Sequence, residues 1–166
     1  IIIGFLVINT SYIIYTSRDM FSALKTGVSI TAHRGDSLDA PENTLPAVIH
    51  AVDNMADYVE MDIRETKDGV MVLLHDESLS RTTGDMRNIE EITYAELCTL
   101  DAGSWFHKDY AGTQIPTFEE ILIYCKNKDI KLNVELKYSK QNPTLSTDVI
   151  SMIRAYDMEN QCIISS

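Results

Sequence analysis

Short apolar runs that stop on ionisable side chains constrain this chain more than any other feature. Residues 28–32 (VSITA) lead into His33 and Arg34. Residues 58–63 (YVEMDI) alternate and include Glu60 and Asp62. Residues 70–74 (VMVLL) lead into His75 and Asp76. Residues 130–136 (IKLNVEL) carry Glu135, and Lys137 follows. The strand period of two puts Glu60 with Asp62, and Glu135 with Lys137, on shared faces. A fifth strand is expected at 162–165. Helical patterns fill the intervals. One is capped by Asn43 or Thr44 and has Ala47, Val48, Ala51, Val52 and Met55 on its stripe. Two open with capping boxes, Thr93 with Glu96 and Thr117 with Glu120, and another covers 147–157. Strands separated by helices predict an α/β fold with a mostly parallel sheet, whose C-terminal strand ends build the site.

One connection departs from this pattern. About six residues separate Ile63 from Val70, too few for a helical crossover. The pair is either a hairpin or a return without a helix. A two-residue turn at Asp68-Gly69 would pair Lys67 with Val70, and therefore Asp62 with His75.

Glu60, Asp62 and Glu135 would bring three carboxylates to one point, which requires a cation or protonation. Hard oxygen donors without sulfur suit Ca²⁺ or Mg²⁺ better than Zn²⁺. The cysteines, Cys98, Cys125 and Cys162, form neither a disulfide framework nor a zinc motif. His33 and His75 suit acid–base work because imidazole titrates near neutral pH. Arg34 and Lys137 supply positive charge for an anionic substrate. That local reversal of sign matters, because the chain has 14 Lys plus Arg against 25 Asp plus Glu, a net charge of −11. The same balance argues against nucleic acid as a partner. The chemistry implied is metal-assisted displacement at phosphorus.

Residues 1–17 (IIIGFLVINTSYIIYTS) contain no charge. As a helix they would span roughly 26 Å, and Tyr12 and Tyr15 sit near the charged end as interfacial aromatics do. Residues 1–27 are read as part of a transmembrane helix and its linker; a buried helix of a soluble protein is the alternative. They carry a net +1, so the remaining 139 residues hold −12, and the boundary falls near residue 27.

The motifs His33-Arg34-Gly35, Pro41-Glu42-Asn43-Thr44, Glu60-x-Asp62, Thr66-x-Asp68-Gly69, His75-Asp76, Arg81-Thr82-Thr83, Asp101-Ala102-Gly103-Ser104-Trp105-Phe106, Ile115-Pro116-Thr117 and Asn133-x-Glu135-x-Lys137 occur in this order. From about residue 30 to the end, the chain resembles the glycerophosphodiester phosphodiesterase family. The resemblance implies a TIM-type barrel that releases an alcohol and glycerol 3-phosphate from glycerophosphodiesters. It implies that His33 and His75 are the acid–base pair, and that Glu60, Asp62 and Glu135 bind one divalent metal. It implies that Arg34 and Lys137 contact the phosphate, with a cyclic phosphate formed and then opened by water. Residues 77–115 resemble the family's small insertion, with Trp105 and Phe106 near the pocket mouth and Trp105 a candidate substrate contact. The apolar leader resembles that of the membrane-anchored bacterial branch.

Other motif residues keep two readings each. Asp76 either orients His75 or caps its strand. Arg81 either meets substrate or forms a loop salt bridge. Glu42 and Asn43 tie the first loop to the helix, and His50 and His107 read as surface histidines. Five strands are expected where a TIM barrel has eight and needs about 250 residues. The chain, starting at Ile1, therefore reads as a piece of a longer protein, and its open sheet edge is expected to aggregate. A lipid phosphodiesterase acting on lysophospholipid or phosphoinositide, and a membrane-bound binding module without turnover, are the competing functional readings.

Overall fold

The computed structural model describes residues 27–139 and 142–166. Apart from Gly27, the segment read as a membrane helix lies outside these residues. Among the described residues, no helix is long and apolar enough to cross a membrane.

The expected five strands form a single sheet: β1 (Thr31–Ala32), β2 (Tyr58–Glu65), β3 (Met71–Leu73), β4 (Lys131–Leu136) and β5 (Cys162–Ser165). The order is β1-β2-β4-β5, all parallel, and β3 pairs antiparallel with β2. This is a TIM-barrel-like α/β arrangement, and the short connection is a hairpin.

The hairpin register differs by one residue from expectation. Ile63 faces Leu73, so Asp62 lies opposite Leu74 and not His75. The loop holds three residues, Lys67, Asp68 and Gly69. Thr66 N donates to the Val70 carbonyl at 3.0 Å and Gly69 N to the Thr66 carbonyl at 3.0 Å. Gly69 has φ 81°, the left-handed residue that a three-residue hairpin loop requires.

Helix α1 (Leu45–Asp53) is capped by Thr44, whose hydroxyl accepts from Ala47 N, and Pro46 lies in its first turn, where a missing N–H costs nothing. Two helical turns, α2 (Ser80–Thr83) and α3 (Tyr94–Leu97), follow the hairpin. Both expected capping boxes form, at the start of α3 and of α4 (Phe118–Cys125). Helix α5 (Leu145–Ala155) precedes β5.

The two faces of the sheet have separate tasks. Val59, Met61 and Ile63 of β2 and Leu132, Val134 and Leu136 of β4 are buried against apolar residues of α1, α4 and α5. In α4 these are Phe118, Ile121, Leu122 and Cys125, a helical i, i+3, i+4, i+7 stripe. Burial of one such large side chain stabilises by about 1.5–3 kcal/mol. The opposite face carries Glu60, Asp62, Asn133 and Glu135. Residues of the 77–115 stretch, including Leu79, Ile89, Ile92 and Leu97, form a second apolar cluster with Val72 and Leu74.

Candidate active site

The site lies at a gap along one edge of β2. β4 occupies the other edge from Tyr58 to Ile63. β1 pairs only with Tyr58 and Val59, while β3 approaches from the opposite direction and pairs with Ile63 to Glu65. The C-terminal ends of β1 and β3 therefore point toward each other across Glu60–Asp62. His33 leaves the end of β1, and His75 follows β3 by two residues. The backbone fills the gap from both sides: Gly35 N donates to the Glu60 carbonyl and Leu74 N to the Asp62 carbonyl, each at 2.9 Å. The hairpin thus brings a second histidine toward the same stretch of β2 as the first. A strict rule of parallel strand ends would not place it there.

Glu60, Asp62 and Glu135 each offer an oxygen within 4.8 Å of the others'. Register accounts for this, because Asp62 pairs with Glu135 across β2 and β4. Glu60 and Asp62 are 5% and 1% exposed. Glu60 Oε1 is buried without a hydrogen-bond partner. Asp62 Oδ1 also lacks an aligned donor, although Lys137 Nζ is an ion-pair distance of 3.1 Å away. Buried carboxylate oxygens left this way are costly unless a cation meets them. The donor set is all oxygen, so the residues fit a hard divalent ion. Burial pushes the Glu60 carboxyl up; the Arg34 backbone N–H opposes this, and the neighbouring Asp62 carboxylate adds to it.

Cations surround the cluster. Lys137 pairs with Asp62 and with Glu135. Burial acts to lower its pKa, but the two carboxylates outweigh it and the net shift is upward. Arg34 N donates to Glu60 Oε2 at 2.6 Å, its Nε lies 3.6 Å from Asp62 Oδ2, and its Nη1 donates to Glu42 Oε1 at 2.9 Å. These ties hold the Arg34 backbone at φ 54°, a left-handed conformation unusual for arginine. His33 is exposed, with Nε2 3.9 Å from Glu60 Oε2.

His75 joins the site by a chain of ion pairs. Its Nδ1 is 2.8 Å from Asp76 Oδ1, and Arg81 Nε donates to Asp76 Oδ2 at 2.7 Å. Arg81 also grips Glu42 through Nη1 at 2.8 Å and Nη2 at 2.7 Å. The Arg81 contact, opposed by partial burial and aided by His75, holds the Asp76 carboxyl at about 2. Arg64 Nε fixes the His75 carbonyl at 2.9 Å. Trp105 is partly exposed; its indole N–H donates to the Ala102 carbonyl, and its ring lies 5.8 Å from the Arg81 guanidinium carbon.

Two residues do more than tie the first loop to its helix. Asn43 is buried, and its Nδ2 donates to Asp62 Oδ2 at 2.7 Å while its Oδ1 accepts from Asp62 N at 3.1 Å. It replaces the strand partner that the gap removes. Glu42 joins Arg34 to Arg81. The signal for both is the Pro41-Glu42-Asn43-Thr44 motif, whose polar residues exceed what a helix cap needs. Asp76 orients His75, and Arg81 forms salt bridges. His50 is half-buried beside the Tyr110 hydroxyl, at 3.4 Å. His107 is exposed and accepts from Asp109 N.

The fold and site together define a TIM-barrel-like α/β protein with a largely buried carboxylate cluster suited to a divalent cation and cationic side chains suited to phosphate. The profile of the glycerophosphoryl diester phosphodiesterase family matches residues 33–158, and the chain belongs to that family. It is 39% identical over 138 residues to a glycerophosphodiester phosphodiesterase of Caldanaerobacter subterraneus subsp. tengcongensis, covering 82% of this chain and 57% of that protein. The crystal structure of a glycerophosphodiester phosphodiesterase from Agrobacterium tumefaciens superposes with a TM-score of 0.76 at 34% identity, covering 82% of this chain and 57% of the other. A phosphodiesterase from Oleispira antarctica, solved in complex with the product sn-glycerol-3-phosphate, gives 0.76 at 33% identity, covering 82% and 56%. The chain thus spans a little over half the length of these relatives.

Proposed function

We propose that the protein hydrolyses glycerophosphodiesters to an alcohol and sn-glycerol 3-phosphate. The observation that carries this reading is the cluster of buried Glu60 and Asp62 with partly exposed Glu135, flanked by Arg34 and Lys137, in a chain of this family. The three carboxylates would hold one divalent ion, Ca²⁺ or Mg²⁺, which when bound supplies positive charge to a phosphoryl oxygen. Lys137 offers the phosphate a point charge and Arg34 a planar fork. Of His33 and His75, one takes the proton of the attacking hydroxyl and the other protonates the departing alkoxide. An ionised Asp76 can only accept, so Nδ1 of His75 carries its proton and Nε2 is left for transfer. Trp105 offers a partly exposed ring to the alcohol portion. The uncharged tract at residues 1–17 supports a membrane tether for the domain.

The test is release of glycerol 3-phosphate from glycerophosphocholine by the full-length protein with Mg²⁺ or Ca²⁺. His33→Ala or His75→Ala should abolish release while circular dichroism stays unchanged. Undiminished turnover in both variants would refute the assignment.

A further inference from the structure

Glu42 is the only acidic side chain among the described residues that an arginine from the first loop and an arginine from the 77–115 stretch both grip. Its side chain is 11% exposed. Oε1 accepts from Arg34 Nη1 and Arg81 Nη2, and Oε2 accepts from Arg81 Nη1. The remaining edge of Arg81 meets Asp76, whose other oxygen meets His75. Four successive links, made of five charge-assisted contacts all between 2.7 and 2.9 Å, thus run from His75 to Arg34. Positions 39 residues apart in sequence are fixed by one planar fork.

The arrangement excludes simple alternatives to each member. Glutamine at 42, its amide oxygen in the place of Oε1, would turn an NH2 donor onto Arg81 Nη1 and break the two-pronged grip on that guanidinium. Lysine at 81 would keep the charge but could not address Glu42 and Asp76 in one plane. Trp105 flanks the guanidinium and restricts its escape. Asp76 alone could swing away from His75; held on Oδ2 by Arg81, it presents Oδ1 to Nδ1.

We propose that Glu42 and Arg81 are positioning residues of the phosphodiesterase reaction, acting as one unit that fixes the tautomer and ring orientation of His75 and the placement of the Arg34 guanidinium. The proposal rests on the acid–base role given to His75 above. The insertion is then a structural part of the reaction centre, because Arg81 comes from it.

The test uses the full-length protein and two independent readouts. Arg81→Met and Arg81→Lys should each lower kcat by about 10²-fold, the scale of an ångström-sized misplacement, with little change in KM. Glu42→Ala should lower kcat and also raise KM, since loss of both carboxylate oxygens frees Arg34 as well as Arg81. The Asp76→Asn, Arg81→Met double variant should be no slower than Asp76→Asn alone, because members of one unit do not act additively. Imidazole ¹⁵N spectra should show His75 protonated at Nδ1 in the parent and a tautomer mixture in Arg81→Met. Arg81→Lys retains the charge and keeps the comparison valid if the methionine variant fails to fold. Parental kcat in both Arg81 variants, multiplying losses in the double variant, or an unchanged His75 tautomer would overturn the proposal. A parent that releases no product would overturn the functional reading instead, and the imidazole spectra would still decide this one.

Discussion

Replacing Asn43 with alanine removes both hydrogen bonds that clamp Asp62. The Asn43 Nδ2 bond to Asp62 Oδ2, at 2.7 Å, ends on a carboxylate and stabilises by about 1.5–3 kcal/mol. Loss of Oδ1 leaves the N–H of Asp62, a residue 1% exposed at the gap between β1 and β3, without its 3.1 Å acceptor, which costs about 1–3 kcal/mol. Asn43 also has φ 54°, where alanine is disfavoured by about 1 kcal/mol. These effects overlap, and the net loss expected for Asn43→Ala is about 4 kcal/mol, a large share of a typical stability of ~5–15 kcal/mol. Asn43→Gly removes the same bonds without the backbone penalty and should lose about 1 kcal/mol less. Urea unfolding of the full-length protein measures both. Calorimetric titration with Mn²⁺ provides the second assay: an unclamped Asp62 should weaken binding by about 10–100-fold, as loss of a supporting partner does at metal sites. A stability within 0.5 kcal/mol of the parent (roughly the scale of an ordinary surface substitution), together with unchanged Mn²⁺ affinity, would refute the claim that Asn43 organises the cluster.

A Cβ at Gly35 would lie 2.6 Å from Ala47 Cβ and 2.8 Å from the Ala47 carbonyl carbon, at φ 80°. Gly35→Ala should therefore lose about 3 kcal/mol in urea unfolding, whereas Gly69→Ala, with φ 81° but open space, should lose only about 1 kcal/mol. Equal losses would show that the close approach to α1 is unimportant. The Asp76 carboxyl lies at about 2 against an ordinary 3.8, so its contribution to stability is present above pH ~4 and disappears as pH falls toward 2. The difference corresponds to roughly 2.4 kcal/mol, reduced to about 1 kcal/mol because Asp76 and Arg81 are partly solvated. The stability gap between the parent and Asp76→Asn should narrow from pH 5 to pH 2; a gap that widens would contradict the sign.

Local chemistry made much of this protein readable in one dimension. Period-two alternation located β2 and β4 and placed Glu60, Asp62 and Glu135 on usable faces. Each capping box announced its helix, because both of its partners lie within four residues of each other. The motif order disclosed the family. What one dimension could not supply was the meeting of distant segments. A single extra residue in the hairpin loop moved His75 out of register with Asp62: of the loop residues only Gly69 is left-handed, whereas a two-residue type I′ turn needs a positive φ at Asp68 as well. The head-on approach of β1 and β3, the substitution of Asn43 for a missing strand and the union of Arg34 with Arg81 through Glu42 arise only in three dimensions. Side-chain type and spacing are properties of neighbours along the chain, and they fix which groups are available. Which carboxylate meets which guanidinium is settled by strand register and loop closure, and those depend on the whole sheet packing at once.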